Sequence, residues 1–359
     1  MIVGRVRPTV AALSAYRPGK GAKQAAVEHG LETAIKLASN ETPLDPIPAV
    51  VAAITEAASG VNRYGDHRAS ELRERLAAWL GVETDMVAVG CGSVGLLQQL
   101  CLAYLDAGDE VVCPWPSFEA YPINVRLMNA NLVEVPLVEQ AFDLDAVVNA
   151  VTSKTKLILL ATPNNPTGTA VSTTQLRAML DRVPADVVVL IDEAYHEFCG
   201  PDLGDSIKEL MPDYPNVVVS RTFSKAYGLA GLRTGYLVAH PSVVTQLDKV
   251  LLAFAVNSVA QAASLAVLDH LDEFGSRIDG VLKERDRVVA ALNDSGWQLP
   301  DAQANFVYLE TGSRTDELHL AMEQRGVVTR PFSGQGIRVT IGTPAENNFF
   351  LETLAAVSG

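Results

Sequence analysis

The chain has 359 residues, 48% of them hydrophobic and 19% charged, with 26 Gly and 19 Pro spread among turns and no repeat or low-complexity tract. That composition fits a folded globular protein long enough for two domains, and it leaves no room for long disorder. The net charge of −14, from 28 basic against 42 acidic residues with no basic run, argues against nucleic acid or an anionic membrane as partner.

The start, Met1-Ile2-Val3-Gly4-Arg5, has no basic segment followed by an apolar one, so no signal peptide is expected. Residues 1–35 read as an N-terminal arm with a turn at Arg17-Pro18-Gly19. Residues 35–38 then lead into the loop Ser39-Asn40-Glu41-Thr42-Pro43, where Pro43, Pro46 and Pro48 bar a long helix. Residues 70–80 predict a helix with Leu72, Leu76, Trp79 and Leu80 on one face and Gly81 at its C-terminal end.

From there the pattern alternates. Strands are predicted at residues 86–89, 110–113, 131–135, 156–160, 187–191, 217–220 and 234–238, with helices at 94–105, 143–151 and 174–182 between several of them. Strands alternating with helices imply crossover units, hence an α/β fold with a mainly parallel seven-stranded sheet covered by helices on both faces. That large domain spans residues 36–245. The texture then changes to helices at 258–270 and 276–295, short strands at 306–309 and 337–341 and a closing helix, a smaller α+β domain over 246–359. Residues 250–268 are uncharged, but Asn257, Ser258, Gln261 and Ser264 lie inside, so two buried helices meeting near Asn257 are expected there instead of a membrane span. Cys91, Cys101, Cys113 and Cys199 show neither paired spacing nor Cys-x-x-Cys, which points away from disulfides and zinc and towards a reducing cytoplasm.

Three strand ends carry the chemistry. The run 156–160 leads to Asn164-Asn165-Pro166, the run 187–191 meets Asp192-Glu193-Ala194-Tyr195, and the run 217–219 leads to Thr222-Phe223-Ser224-Lys225. Ligands of open parallel sheets bind outside the carboxyl ends of the strands, so an asparagine, an aspartate with a tyrosine, and a lysine should converge in one crevice. A lone lysine at a strand end is usually a solvated surface residue; its company makes it a candidate covalent handle for an aldehyde cofactor. Gly90-Cys91-Gly92-Ser93-Val94-Gly95 matches the glycine pattern of dinucleotide sites, yet Asp109 and Glu110 precede the next strand and Pro114 follows it, where such a site wants an acidic residue. What remains is either a plain strand-to-helix turn capped by Ser93, or free amides at a helix N-terminus that bind an anion. Thr222, Ser224 and Arg233 add two hydroxyls and a forked cation suited to phosphate, although Arg233 taken alone reads as a surface ion-pair former.

Together these motifs, from Leu37 to Asn347, resemble the pyridoxal-phosphate-dependent aminotransferases of classes I and II, fold type I. Within them the chain is similar to the histidinol-phosphate aminotransferase group, and there to its aromatic amino acid (phenylalanine) branch. Val94-Gly95 stands where histidinol-phosphate enzymes usually carry an acidic pair, and residues 221–236 look like the aromatic branch. The resemblance implies that Lys225 holds pyridoxal 5′-phosphate covalently, Asp192 pairs with its ring nitrogen, Asn165 and Tyr195 bond its 3′ oxygen, and Phe118 stacks on the ring. It assigns the phosphate to Ser93, the Val94 amide, Thr222, Ser224 and Arg233, and the substrate α-carboxylate to Arg338 with the Asn40 loop nearby. Arg330, Tyr16, Asn257 and Phe332 are candidates for the side-chain pocket, and Arg330 suits either substrate, because the resemblance implies that histidinol-phosphate enzymes use an arginine there for the substrate phosphate. Tyr64 is implied to reach the neighbouring site of a homodimer, with Gly65 standing where the family usually has proline. The expected activity is amino transfer between an aromatic amino acid and a 2-oxo acid such as 2-oxoglutarate. Histidinol-phosphate aminotransfer is the alternative, and no metal is implied.

Overall fold

The computed structural model describes residues 4–16 and 18–358. Of the turn expected at Arg17-Pro18-Gly19, Arg17 lies outside the described residues, as do residues 1–3 of the N-terminal start. Among the described residues twelve strands follow in order: β1 Ile35–Lys36, β2 Val87–Gly90, β3 Glu110–Trp115, β4 Asn131–Pro136, β5 Thr155–Ala161, β6 Val188–Asp192, β7 Val217–Thr222, β8 Gly235–Ala239, β9 Phe306–Glu310, β10 Val327–Val328, β11 Arg330–Phe332 and β12 Gly336–Thr340. The seven strands β2 to β8 make one sheet in the order β2-β8-β7-β6-β5-β3-β4. Strands β4, β3, β5, β6 and β7 run parallel, while β8 is antiparallel to both β7 and β2. All seven expected strands are present, within two residues at each end.

The central strands read as unbroken apolar runs because both faces are covered. Along β6 every residue is buried. Val189 and Ile191 join one core with Val217, Val219, Ile158 and Leu160, while Val188 and Leu190 join the other with Val218, Leu157 and Leu159. That is the two-residue alternation of a strand packed on both sides. Leu96, Leu100, Tyr121, Val125 and Leu247 close the second core. The first core continues without a break into Phe306, Val339, Phe350 and Leu354 of the C-terminal part.

That C-terminal part carries a three-stranded antiparallel sheet, β11-β12-β9. The N-terminal segment is tied to it at several points. Helix Ala22–His29 leads to β1, which pairs in parallel with β10, and Glu323 receives both Lys20 Nζ at 2.6 Å and His29 Nε2 at 2.8 Å. The proposed units 1–35, 36–245 and 246–359 are therefore joined through residues 20–36.

Three expectations need correction. Helix Gly92–Tyr104 starts earlier than expected and Ser93 does not cap it, because Cys91 holds the cap position and makes no side-chain bond. The helix expected at 276–295 runs Leu271–Asp294, with Asp272 and Glu273 in a first turn where negative charge suits the helix dipole. Over 250–268 only Ser258–Leu268 is helical beyond Val250, and Asn257 is its N-cap, accepting from the Ala260 amide at 2.8 Å. Among the described residues no helix is long and apolar enough to cross a membrane.

Candidate active site

Beyond the carboxyl ends of β5, β6 and β7 lies a cavity of about 490 Å³. All of the residues expected at the site line it except Tyr64, Asn257 and Phe332. Each wall has its own chemistry.

Asp192 ends β6 and is buried, paired in register with Ala161 of β5 and Ser220 of β7. Its carboxylate accepts from Tyr121 Oη at 3.0 Å and from Ser220 Oγ at 3.1 Å. Burial pushes its pKa up to about 6, against the lowering effect of these hydrogen bonds. None of those partners is a cation, so the carboxylate faces the cavity with its charge unmatched.

Lys225 Nζ donates to the Ser39 carbonyl at 3.0 Å and lies 5.8 Å from the centre of the Tyr195 ring. Desolvation first, then the Arg338 guanidinium, pull its pKa down to about 7. A neutral amine is thus accessible at physiological pH. Tyr195 Oη accepts from Asn40 Nδ2 at 2.8 Å, and Asn40 is held in turn by its amide bonded to Thr340 Oγ1 at 2.9 Å.

Arg338 projects from β12. Its Nη2 donates to the Ala38 carbonyl at 2.7 Å, Nη1 donates to Asn165 Oδ1, and the buried Nε has no partner among the described residues. The guanidinium lies 5.5 Å from the Phe306 ring centre and 5.9 Å from that of Phe332, so Phe332 touches the site through Arg338 and not as cavity wall.

At the far wall, helix Gly92–Tyr104 begins beside β8. A Cβ on Gly235 would stand 2.6 Å from the Ser93 amide nitrogen, and one on Gly92 (φ +69°) 2.6 Å from Arg233 Nη2. Only glycine allows these approaches. They bring the Ser93 hydroxyl, Ser224 and Arg233 into one cup, where Arg233 Nη1 donates to Ser224 Oγ at 3.3 Å and to the Ala230 carbonyl at 3.0 Å. Thr222 Oγ1 accepts from the Ser224 amide at 3.1 Å.

Two expected residues lie elsewhere. Asn257 does not line this chain's cavity, and its side-chain oxygen caps the helix Ser258–Leu268. Tyr64 is 82% exposed and stacks on Phe254 with ring centres 4.3 Å apart, outside this chain's cavity. Conversely Tyr121, Ser220, Ser39 and Glu119 were missed. Tyr121 follows Phe118 by three residues across the turn that opens helix Ala120–Leu127, and the two rings meet edge-on with centres 5.5 Å apart; the others left no signal, since their roles come from packing.

The family of class I and II aminotransferases matches residues 32–354. The chain belongs to that family. An aromatic amino acid aminotransferase of Mycobacteroides abscessus is 47% identical over 348 residues, covering 97% of each chain. Another of that name, from Rhodococcus jostii, is 50% identical, covering 97% of this chain and 94% of its own. Among solved structures, the histidinol-phosphate aminotransferase of Sinorhizobium meliloti in complex with pyridoxal 5′-phosphate superposes with a TM-score of 0.90 at 29% identity, over 99% of this chain and 98% of its own.

This aminotransferase has fold type I and uses pyridoxal 5′-phosphate. The cavity suits that group. A buried carboxylate without a cation partner meets the need of a protonated ring nitrogen, a lysine of depressed pKa meets that of an aldehyde, and hydroxyls beside a guanidinium at a helix start meet that of a phosphate.

Proposed function

We propose that this aminotransferase moves the amino group of phenylalanine, tyrosine or tryptophan to a 2-oxo acid such as 2-oxoglutarate, in a two-stage ping-pong cycle. The observation that carries the aromatic reading is the near-full-length similarity, at 47% and 50% identity, to two proteins of that name. Tyr16, Phe118 and Ile123 on the cavity wall support it with apolar surface for a ring. The protein works as a homodimer in this reading, with Tyr64 reaching the neighbouring site, and its free cysteines fit the cytoplasm.

When bound, the cofactor supplies a carbonyl that exchanges amino groups and a ring that withdraws electrons from the substrate Cα. The chain does the rest. Asp192 keeps the ring nitrogen protonated, its own charge being relieved by that cation. Asn165 and Tyr195 would bond the ring oxygen, Phe118 would cover the ring, and Ser93, the Val94 amide, Thr222, Ser224 and Arg233 would hold the phosphate. Arg338 takes the α-carboxylate as a bidentate pair beside Asn40, which turns the Cα–H bond towards Lys225. Lys225 Nζ, neutral near pH 7 and above, would accept the Cα proton as base and then, as acid, deliver it to the cofactor carbon that carries the amino group.

The test is a donor panel against 2-oxoglutarate. Phenylalanine, tyrosine and tryptophan are expected to exceed histidinol phosphate in kcat/KM; a preference for histidinol phosphate would replace this reading with that one.

A further inference from the structure

Strands β11 and β12 place Arg330 directly opposite Arg338. Residues opposed in an antiparallel pair project from the same face, so both guanidiniums enter one cavity. Their partners differ. Arg338 donates to the Ala38 carbonyl and to the Asn165 amide oxygen, both neutral, and so keeps its full charge for a ligand. Arg330 Nη2 instead meets Glu119 Oε2 at 2.5 Å, with the arginine side chain 12% exposed and the glutamate 39%. Glu119 sits at the entry to helix Ala120–Leu127, just after Phe118, and also lines the cavity.

We infer that Glu119 is a specificity-determining residue, which cancels the charge of Arg330 and so makes the cavity selective for substrates with uncharged side chains. This rests on the proposed aminotransfer from amino acids with neutral side chains. A substrate whose side chain ends in a carboxylate or phosphate has to compete with Glu119 for Arg330 and lies beside a carboxylate while doing so. A phenyl, phenol or indole ring meets no such cost, because the paired charges leave that wall electrically neutral. The same competition raises the KM of a dicarboxylic acceptor without touching the proton transfer, because neither residue contacts Lys225.

Glutamate and glutamine test this, being of one shape and differing in the charge at the tip, with phenylalanine measured beside them. In Glu119→Gln the glutamate-to-glutamine ratio of kcat/KM should rise on the order of tenfold, as expected for unmasking a partly buried cation. The gain should fall in KM, and glutarate should inhibit at a correspondingly lower concentration while 3-phenylpropanoate does not. Arg330→Gln is the second arm and needs no folded Glu119 variant. It leaves the Glu119 carboxylate unopposed and should lower the same ratio, and in the double variant the Glu119→Gln gain should vanish. An unchanged glutamate-to-glutamine ratio in both single variants, or a change confined to kcat, overturns the inference. Failure of wild-type protein to use phenylalanine would overturn the aromatic reading alone, since the glutamate-to-glutamine comparison is read without it.

Discussion

At the scale of single residues, Lys225 shows how far chemistry depends on surroundings. An ordinary lysine is a cation at neutral pH, but burial and the Arg338 guanidinium bring this one down to about 7. Because the folded pKa lies below the unfolded value near 10.5, the unfolded chain binds more protons between the two, so the burden on the fold is full below about pH 7 and lifts as pH rises towards 10.5. Lys225→Met should therefore melt above wild type when both are free of cofactor at pH 6.5, with the gap closing towards pH 10. The same variant should show no visible absorbance from a lysine-bound cofactor and lose on the order of 10⁴-fold or more in turnover. A variant that kept ordinary turnover would remove Lys225 from the chemistry. The residue was legible because it follows an apolar strand, as were Asp192 and Asn165. Tyr121 and Ser220, which hold the Asp192 carboxylate, were not, since a hydroxyl has no periodicity and gains its role from whatever the fold sets beside it.

Secondary-structure elements were the most legible part, for the reason seen in β6: a strand covered on both faces is apolar throughout and is bounded by turns. The helix starts were less so. Ser93 has the right residue type for a cap, yet the helix begins at Gly92, where a positive φ lets the backbone turn and frees the Ser93 hydroxyl for the cavity. What holds neighbouring elements in place was also hidden. Arg221 of β7 is buried, with Nε donating to Glu193 Oε2 at 2.8 Å and Nη2 to Asp205 Oδ1 at 2.8 Å, which pins the loops after β6 against the strand that leads to Lys225. Removing one member of a buried pair leaves an uncompensated charge and costs about 3–5 kcal/mol. Arg221→Met should accordingly lower the unfolding free energy by about that amount in denaturant titration. A loss below about 1 kcal/mol would mean that water replaces the guanidinium there.

For the whole molecule, one apolar core runs from the large sheet into the C-terminal part, so the face carrying Arg338 is set against the strand ends that carry Asn165 and Asp192. The site is built from segments as distant as Asn40 and Thr340, joined by hydrogen bonds. Assembly extends the same logic in the proposed homodimer. The exposed stack of Tyr64 on Phe254 belongs to a surface that would supply the partner's site. Mixing Lys225→Met with Tyr64→Ala subunits should then restore about a quarter of wild-type activity, because half the dimers are mixed and each has one intact site. No recovery on mixing would confine each site to one chain. The sequence by itself determined the family, the alternation of strands and helices, and the order of Asn165, Asp192, Lys225 and Arg233, because these depend on residue type and local spacing. Only the tertiary structure decided that Asn257 is a helix cap, that Tyr64 stacks on Phe254, and that Arg330 is matched by Glu119. Those outcomes depend on which side chains meet across the fold, and contacts of that range leave no mark on local sequence.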